Sequence, residues 1–161
     1  MSSSNLLKYG LTVLLATLCA EMTFAQEKSQ VQWISFEQLE DSLSAKPKRV
    51  FIDFYTEWCS YCRKMDKEVF TKPAVTELLN NSYYAVRMDA ETTDTIRFDG
   101  QFFVNRESTK KRRGFHDLAL LLGQRGGQFA PPTMLVLDPE FTVKSRYFEY
   151  MHSKQLLKAL E

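Results

Sequence analysis

An almost continuous apolar run from Arg49 to Tyr55 leads directly toward Trp58-Cys59-Ser60-Tyr61-Cys62. The run suits a central strand covered on both faces. Two cysteines three apart at the start of a helix share one side of it. Their Cα atoms then lie within reach of a disulfide, so the pair can open and close without backbone movement. The N-terminal end of such a helix carries unpaired N–H groups and partial positive charge, which favour a thiolate. A strand feeding that helix describes a redox site better than a staple.

How the pair is used depends on the remaining cysteine. Cys19 lies in an N-terminal segment in which Lys8 precedes an apolar run from Tyr9 to Ala20, followed by Thr23-Phe24-Ala25. The run is short for a membrane span and suits a secretory signal peptide over residues 1–25, cleaved before Gln26. An uncleaved anchor is the alternative. Lipidation at Cys19 is disfavoured because Leu15-Ala16-Thr17-Leu18 make a poor lipobox. Cleavage leaves Cys59 and Cys62 as the only thiols of an exported chain, where disulfides persist.

Residues 26–161 are expected to form one domain. Hydrophobic residues make up 44% of the chain, and 12 Phe, 7 Tyr and 2 Trp supply bulk for a core, so the composition is globular. A net charge of +1 gives no general attraction to nucleic acid or acidic lipid, and no nucleic-acid partner is expected.

Strands are predicted over Val31–Ile34, Arg49–Tyr55, Tyr83–Met88, Thr133–Leu137 and Phe141–Phe148. Ser35-Phe36-Glu37-Gln38 is a capping box opening a helix that buries Phe36, Leu39 and Leu43. The helix begun at Cys59 continues through Met65 and Val69. Pro73 starts another, carrying Val75, Leu78 and Leu79. Ser153 is expected to cap a last helix with Leu156, Leu157 and Leu160 on one face. Between about residues 91 and 130 the alternation breaks. There Ile96–Val104 reads as a hairpin turning at Asp99-Gly100. A helix follows with Leu118, Leu121 and Leu122, then a mobile glycine-rich loop from Gly123 to Phe129.

The segment Phe51-Ile52-Asp53-Phe54-Tyr55-Thr56-Glu57-Trp58-Cys59-Ser60-Tyr61-Cys62 resembles the active-site segment of thioredoxins. Pro132-Thr133, set before a strand, resembles that family's cis-proline loop. Lys67-Glu68-Val69-Phe70-Thr71-Lys72-Pro73-Ala74-Val75 is more selective. It is similar to the C-terminal domain of the bacterial envelope reductant transporter DsbD and to small exported thioredoxin-like proteins. The resemblance covers residues 31–90 and 130–161. It implies an α/β thioredoxin fold, a mixed central sheet flanked by helices, with a hairpin-plus-helix insertion before the cis-Pro loop. It also implies thiol-disulfide oxidoreductase activity in a bacterial periplasm, reducing or relaying electrons to protein disulfides; a disulfide oxidase or isomerase, or a non-catalytic envelope adaptor with a structural disulfide, are the alternatives.

Cys59 is the expected attacking thiol, exposed at the helix start, and Cys62 would resolve the mixed disulfide. A static disulfide or a zinc site are the bland alternatives. Zinc would need further ligands, and only His116 and His152 remain, neither suitably spaced and both better read as surface or capping residues. Asp53 sits among Phe51, Ile52, Phe54 and Tyr55, where burial should raise its pKa. The resemblance makes it the acid that moves the proton of Cys62; an outward-facing strand residue is the alternative. Trp58 would pack beside the sulfurs and restrict water, or serve as an ordinary core aromatic. Ser60 and Tyr61 occupy positions that adjust thiol pKa and potential.

The resemblance makes Pro131, Pro132 and Thr133 the substrate-docking loop, with Pro132 cis. Pro131 has no N–H, so strand-like docking of substrate should be weakened or shifted there. Arg87 could stand near Asp53 but reads first as an exposed strand-end charge. Lys110-Lys111-Arg112-Arg113 reads as a solvated turn. No cofactor or metal is called for. The expected partners are protein or small disulfide substrates and an upstream redox partner, for which a membrane thiol transporter is a candidate. No dimerisation segment is visible, so a monomer is expected.

Overall fold

The computed structural model describes residues 30–110 and 114–161. The leader with Cys19, and residues 111–113 of the basic run, lie outside the described residues.

Five strands form one mixed sheet in the order β1-β3-β2-β6-β7. These are β1 (Trp33–Ile34), β2 (Arg49–Tyr55), β3 (Tyr83–Asp89), β6 (Thr133–Leu137) and β7 (Val143–Tyr147). β2 runs parallel to β3 and antiparallel to β6, which makes it the central strand. Its pleat divides the molecule. Val50, Ile52 and Phe54 join Phe36, Leu39, Phe98 and Leu118 in one apolar cluster. Phe51 points the other way, into Met65, Val69, Phe70, Leu79 and Leu156. Burying each such side chain contributes about 1.5–3 kcal/mol. By the same period of two, Asp53 lies on the Phe51 face.

α1 (Phe36–Ala45) opens on the expected capping box, with the Ser35 and Gln38 side chains each accepting the other residue's backbone N–H. α2 (Ser60–Glu68) and α3 (Pro73–Ser82) connect β2 to β3, and Pro73 sits in the first turn of α3. β1 is shorter than the Val31–Ile34 expected. The Gln32 N–H is taken by the Asn80 side chain at 2.9 Å instead of a neighbouring strand.

The insertion contains β4 (Ile96–Phe98), β5 (Gln101–Phe103) and α4 (Asp117–Gly123). The hairpin turns at Asp99 and Gly100, whose φ angles of 52° and 66° suit a two-residue turn. α4 buries Leu118, Ala119 and Gly123, which leaves Leu121 on the opposite, exposed side. Gly123 closes α4. Beyond it, Arg125 and Gln128 exchange backbone hydrogen bonds of 2.8 and 3.1 Å around Gly126-Gly127, which closes the glycine-rich loop into a paired turn.

Two buried polar side chains hold the insertion to the end of β3. The Asn105 amide donates to the carbonyls of Gly114 (2.8 Å), Thr92 (3.1 Å) and Glu91 (3.3 Å), and its oxygen accepts the Ser108 N–H. His116 is fully buried, not at the surface. Its Nδ1 accepts the Leu118 N–H at the start of α4, its Nε2 meets the Asp94 carbonyl, and its backbone N–H donates to Ala90.

The last strand begins at Val143 and not at Phe141. Phe141 has φ 61°, and the ladder shifts register between Val136 and Leu137. α5 (Ser153–Leu160) buries Leu156 and Leu160. Its N-cap is His152, one residue before the expected Ser153, and the Gln155 side chain accepts the His152 N–H at 3.1 Å.

Candidate active site

β2 ends at Tyr55, and the chain turns through Thr56, Glu57, Trp58 and Cys59, with the Cys59 N–H on the Thr56 carbonyl at 3.2 Å. Cys59 is the N-cap of α2, and its sulfur accepts the Cys62 N–H at 3.0 Å. Cys59 and Cys62 form a disulfide across a Cα separation of 5.3 Å. The expected exposure of Cys59 is not found in this closed form. It is only 4% accessible, because its sulfur is bonded to Cys62 and turned onto the helix end. The pair nonetheless sits where helix N–H groups favour a thiolate.

The aromatic neighbours lie on the rim. Trp58 is 42% exposed and is not a core aromatic; its indole N–H donates to the Glu91 carboxylate at 2.8 Å. Tyr61, 58% exposed, lies 6.1 Å from the ring of Tyr150, whose hydroxyl donates to Glu68. Ser60 is the exposed first residue of α2.

Beneath α2 lies an ionic cluster. Asp53 is 2% exposed, and Arg87 faces it in the β2–β3 register with its Nε 3.3 Å from the carboxylate. Arg87 is therefore no exposed strand-end charge. Its terminal nitrogens grip Asp66 of α2 at 2.7 and 2.9 Å, and the guanidinium lies over the Tyr55 and Trp33 rings. Burial raises the Asp53 pKa from 3.8 to about 7, while Arg87 pulls it down and Asp66 pushes it back up.

The β2–β6 register pairs Phe54 with Thr133, which brings the loop before β6 to the sheet end that carries Cys59. The Pro131–Pro132 peptide bond is cis. The Thr133 hydroxyl donates to the Ala130 carbonyl at 2.8 Å, and Pro131 has no N–H, so this loop offers a docking strand few backbone groups.

Among the described residues no group of three or more His, Cys, Asp or Glu side chains is arranged to hold a metal, and His116 and His152 both stand at helix starts. Sequence reasoning missed Asp66, Glu91 and Thr56. Asp66 had one available signal, since it follows Cys62 by four residues and so shares its helix face.

Residues 36–161 match the thioredoxin-like domain family, and the chain belongs to that family. The fold described above is the thioredoxin fold. The chain is similar to a structure described as DsbH oxidoreductase, at 15% identity and a TM-score of 0.58, over 87% of this chain and 88% of that one. A thioredoxin from Thermus thermophilus aligns at 21% identity and a TM-score of 0.55, covering 82% of this chain and 85% of its own. A putative disulphide-isomerase from Bacteroides thetaiotaomicron aligns at 23% identity and a TM-score of 0.54, covering 83% and 93% respectively. No curated protein sequence matches.

Proposed function

We propose that the protein is an exported thiol-disulfide oxidoreductase, made with a signal peptide over residues 1–25 and acting as a thioredoxin-like domain over residues 26–161 in a bacterial periplasm. The observation that carries this reading is the Cys59–Cys62 disulfide at the N-terminus of α2, on the sheet face where Asp53 is buried. In the reduced protein the Cys59 thiolate attacks a substrate disulfide. One substrate sulfur leaves as a thiolate and the other stays bonded to Cys59. The Cys62 thiol then loses its proton, with Asp53 as acceptor, and attacks the Cys59 sulfur. Product dithiol departs and Cys59–Cys62 is oxidised. An Asp53 pKa near 7 suits a group that must both take and release that proton near neutrality.

Reduction, or electron relay to other disulfides, is the direction supported by the DsbD-like run Lys67–Val75. An upstream dithiol donor must then regenerate Cys59 and Cys62 after each turnover, and a membrane thiol transporter suits that role. Trp58, Ser60 and Tyr61 edge the sulfurs, and Pro131, Pro132 and Thr133 border the substrate approach. The test is to express Cys62→Ala in cells and capture proteins linked through Cys59. Discrete mixed disulfides, abolished by Cys59→Ala, are expected. An empty trap would favour an adaptor module with a structural disulfide.

A further inference from the structure

One buried hydroxyl has no partner. Among the described residues, buried side-chain atoms without a hydrogen bond occur on Glu40, Thr56, Asp66, Arg87 and Glu91. Glu40, Asp66 and Arg87 lie in ion pairs, and the other carboxylate oxygen of Glu91 takes the Trp58 indole. Only the Thr56 hydroxyl is left with nothing, on a residue 1% exposed. A buried hydroxyl in that condition costs free energy and calls for a reason.

Its position supplies one. The Cys59 N–H binds the Thr56 carbonyl at 3.2 Å, so the two residues close one tight turn, with Cα atoms within about 7 Å of each other. Both are buried, and the Cys59 sulfur is bonded to that of Cys62. Thr56, which carries the unpaired hydroxyl, is thus held by its backbone in the turn that leads into the disulfide. A disulfide sulfur is a poor acceptor, whereas a thiolate is a strong one.

We infer that Thr56 is a redox-dependent hydrogen-bond donor, unpaired while Cys59–Cys62 is closed and bonded to the thiolate once the pair is reduced. This rests on the reading that the pair cycles. When a donor dithiol reduces the protein, the S–S bond breaks and two electrons pass to its sulfurs. The donor leaves as a disulfide and gives up two protons. One stays on a protein thiol and the other goes to solvent, leaving one thiolate. The Thr56 O–H donates to that thiolate without transferring its proton. The hydroxyl therefore stabilises the reduced state and adds nothing to the oxidised one, which makes the protein a weaker reductant than the same site without it.

The test compares Thr56→Val, which keeps the shape and loses the hydroxyl, with Thr56→Ser, which keeps the hydroxyl. Each is equilibrated in dithiothreitol redox buffers, the thiol pKa is followed by thiolate absorbance, and the oxidised forms are unfolded in urea. Thr56→Val should shift the equilibrium about tenfold toward the disulfide, about 30 mV for a two-electron couple. Its thiol pKa should rise, while its oxidised form is at least as stable as wild type. Thr56→Ser should stay within about twofold of wild type, since it retains the donor. Equal potentials for Thr56→Val and wild type, or equal shifts in both variants, would overturn the inference. A destabilised oxidised Thr56→Val with an unshifted thiol pKa would do so as well, by showing a structural role. If wild type itself does not equilibrate with the buffer, the cycling reading fails first, and the inference fails with it.

Discussion

Arg87 stands beside Asp53 but gives its hydrogen bond and its shorter ion pair to Asp66. The Nε–carboxylate distance to Asp53 is 3.3 Å, whereas the paired terminal nitrogens reach Asp66 at 2.7 and 2.9 Å. Asp66 holds the fork away from full engagement with the buried acid, so burial dominates and Asp53 titrates at about 7. Opposite shifts follow for two substitutions. Arg87→Met removes the charge that lowers the Asp53 pKa and should raise it further. Asp66→Asn frees the guanidinium and removes a nearby negative charge, so it should lower it. Carbon-13 NMR of the Asp53 carboxyl across pH reads both; shifts of the same sign would contradict the arrangement.

Asp53 also sets a pH dependence of folding. Its folded pKa is raised above the unfolded value of 3.8, so the native state holds more protons between about pH 4 and about pH 7. Its contribution is fully present below that window and is lost as pH rises through it. Asp53→Asn should remove this slope and gain on the order of 4 kcal/mol relative to wild type above neutrality. Urea unfolding at a series of pH values measures it.

His116 acts with the opposite sign. Burial lowers its pKa below 6.5, although Asp94 and Asp117 pull it back up. The unfolded state then holds more protons, so its contribution is present above pH 6.5 and is lost as pH falls. Protonation would also remove the Nδ1 acceptor of the Leu118 N–H. In an Asp53→Asn background, where the competing slope is gone, stability should fall on acidification below pH 6.5, and His116→Ala should flatten that fall. At neutral pH His116→Ala should cost about 1–3 kcal/mol through the lost cap and the unpaired Asp94 carbonyl.

Gly114 tests how tightly the insertion is closed. A Cβ there would lie 2.4 Å from the Glu107 carbonyl carbon and 2.6 Å from the Ser108 nitrogen, both backbone atoms. Gly114→Ala should destabilise the fold by about 1–3 kcal/mol, with a lower urea midpoint and an unchanged slope.

The parts of this molecule that follow from neighbouring residues were legible in its sequence. Ser35 and Gln38 declared a helix start, Asp99-Gly100 a hairpin turn, and the run Arg49–Tyr55 a central strand with the bounds it proves to have. The placement of Asp53 on a buried face required only the apolar run around it. The ionic cluster was not legible, because Asp53, Asp66 and Arg87 come from three elements and meet only when β3 pairs with β2 under α2. Arg87 looked like a strand-end charge for that reason. His116 was misjudged in exposure because its burial depends on the insertion folding back onto Ala90 and Asp94. Thr56 gave no signal at all, since an unpaired hydroxyl is a property of the packed state.

The central claim is that Cys59 and Cys62 form a working dithiol and not a staple. The most direct measurement is turnover of insulin disulfides with dithiothreitol as electron donor, using the chain without residues 1–25. Wild type should accelerate the reduction, and Cys59→Ala and Cys62→Ala should each bring the rate back to that of dithiothreitol alone. A wild-type protein whose Cys59–Cys62 bond is shown to open to an accessible dithiol, yet which leaves the insulin rate unchanged, would contradict it.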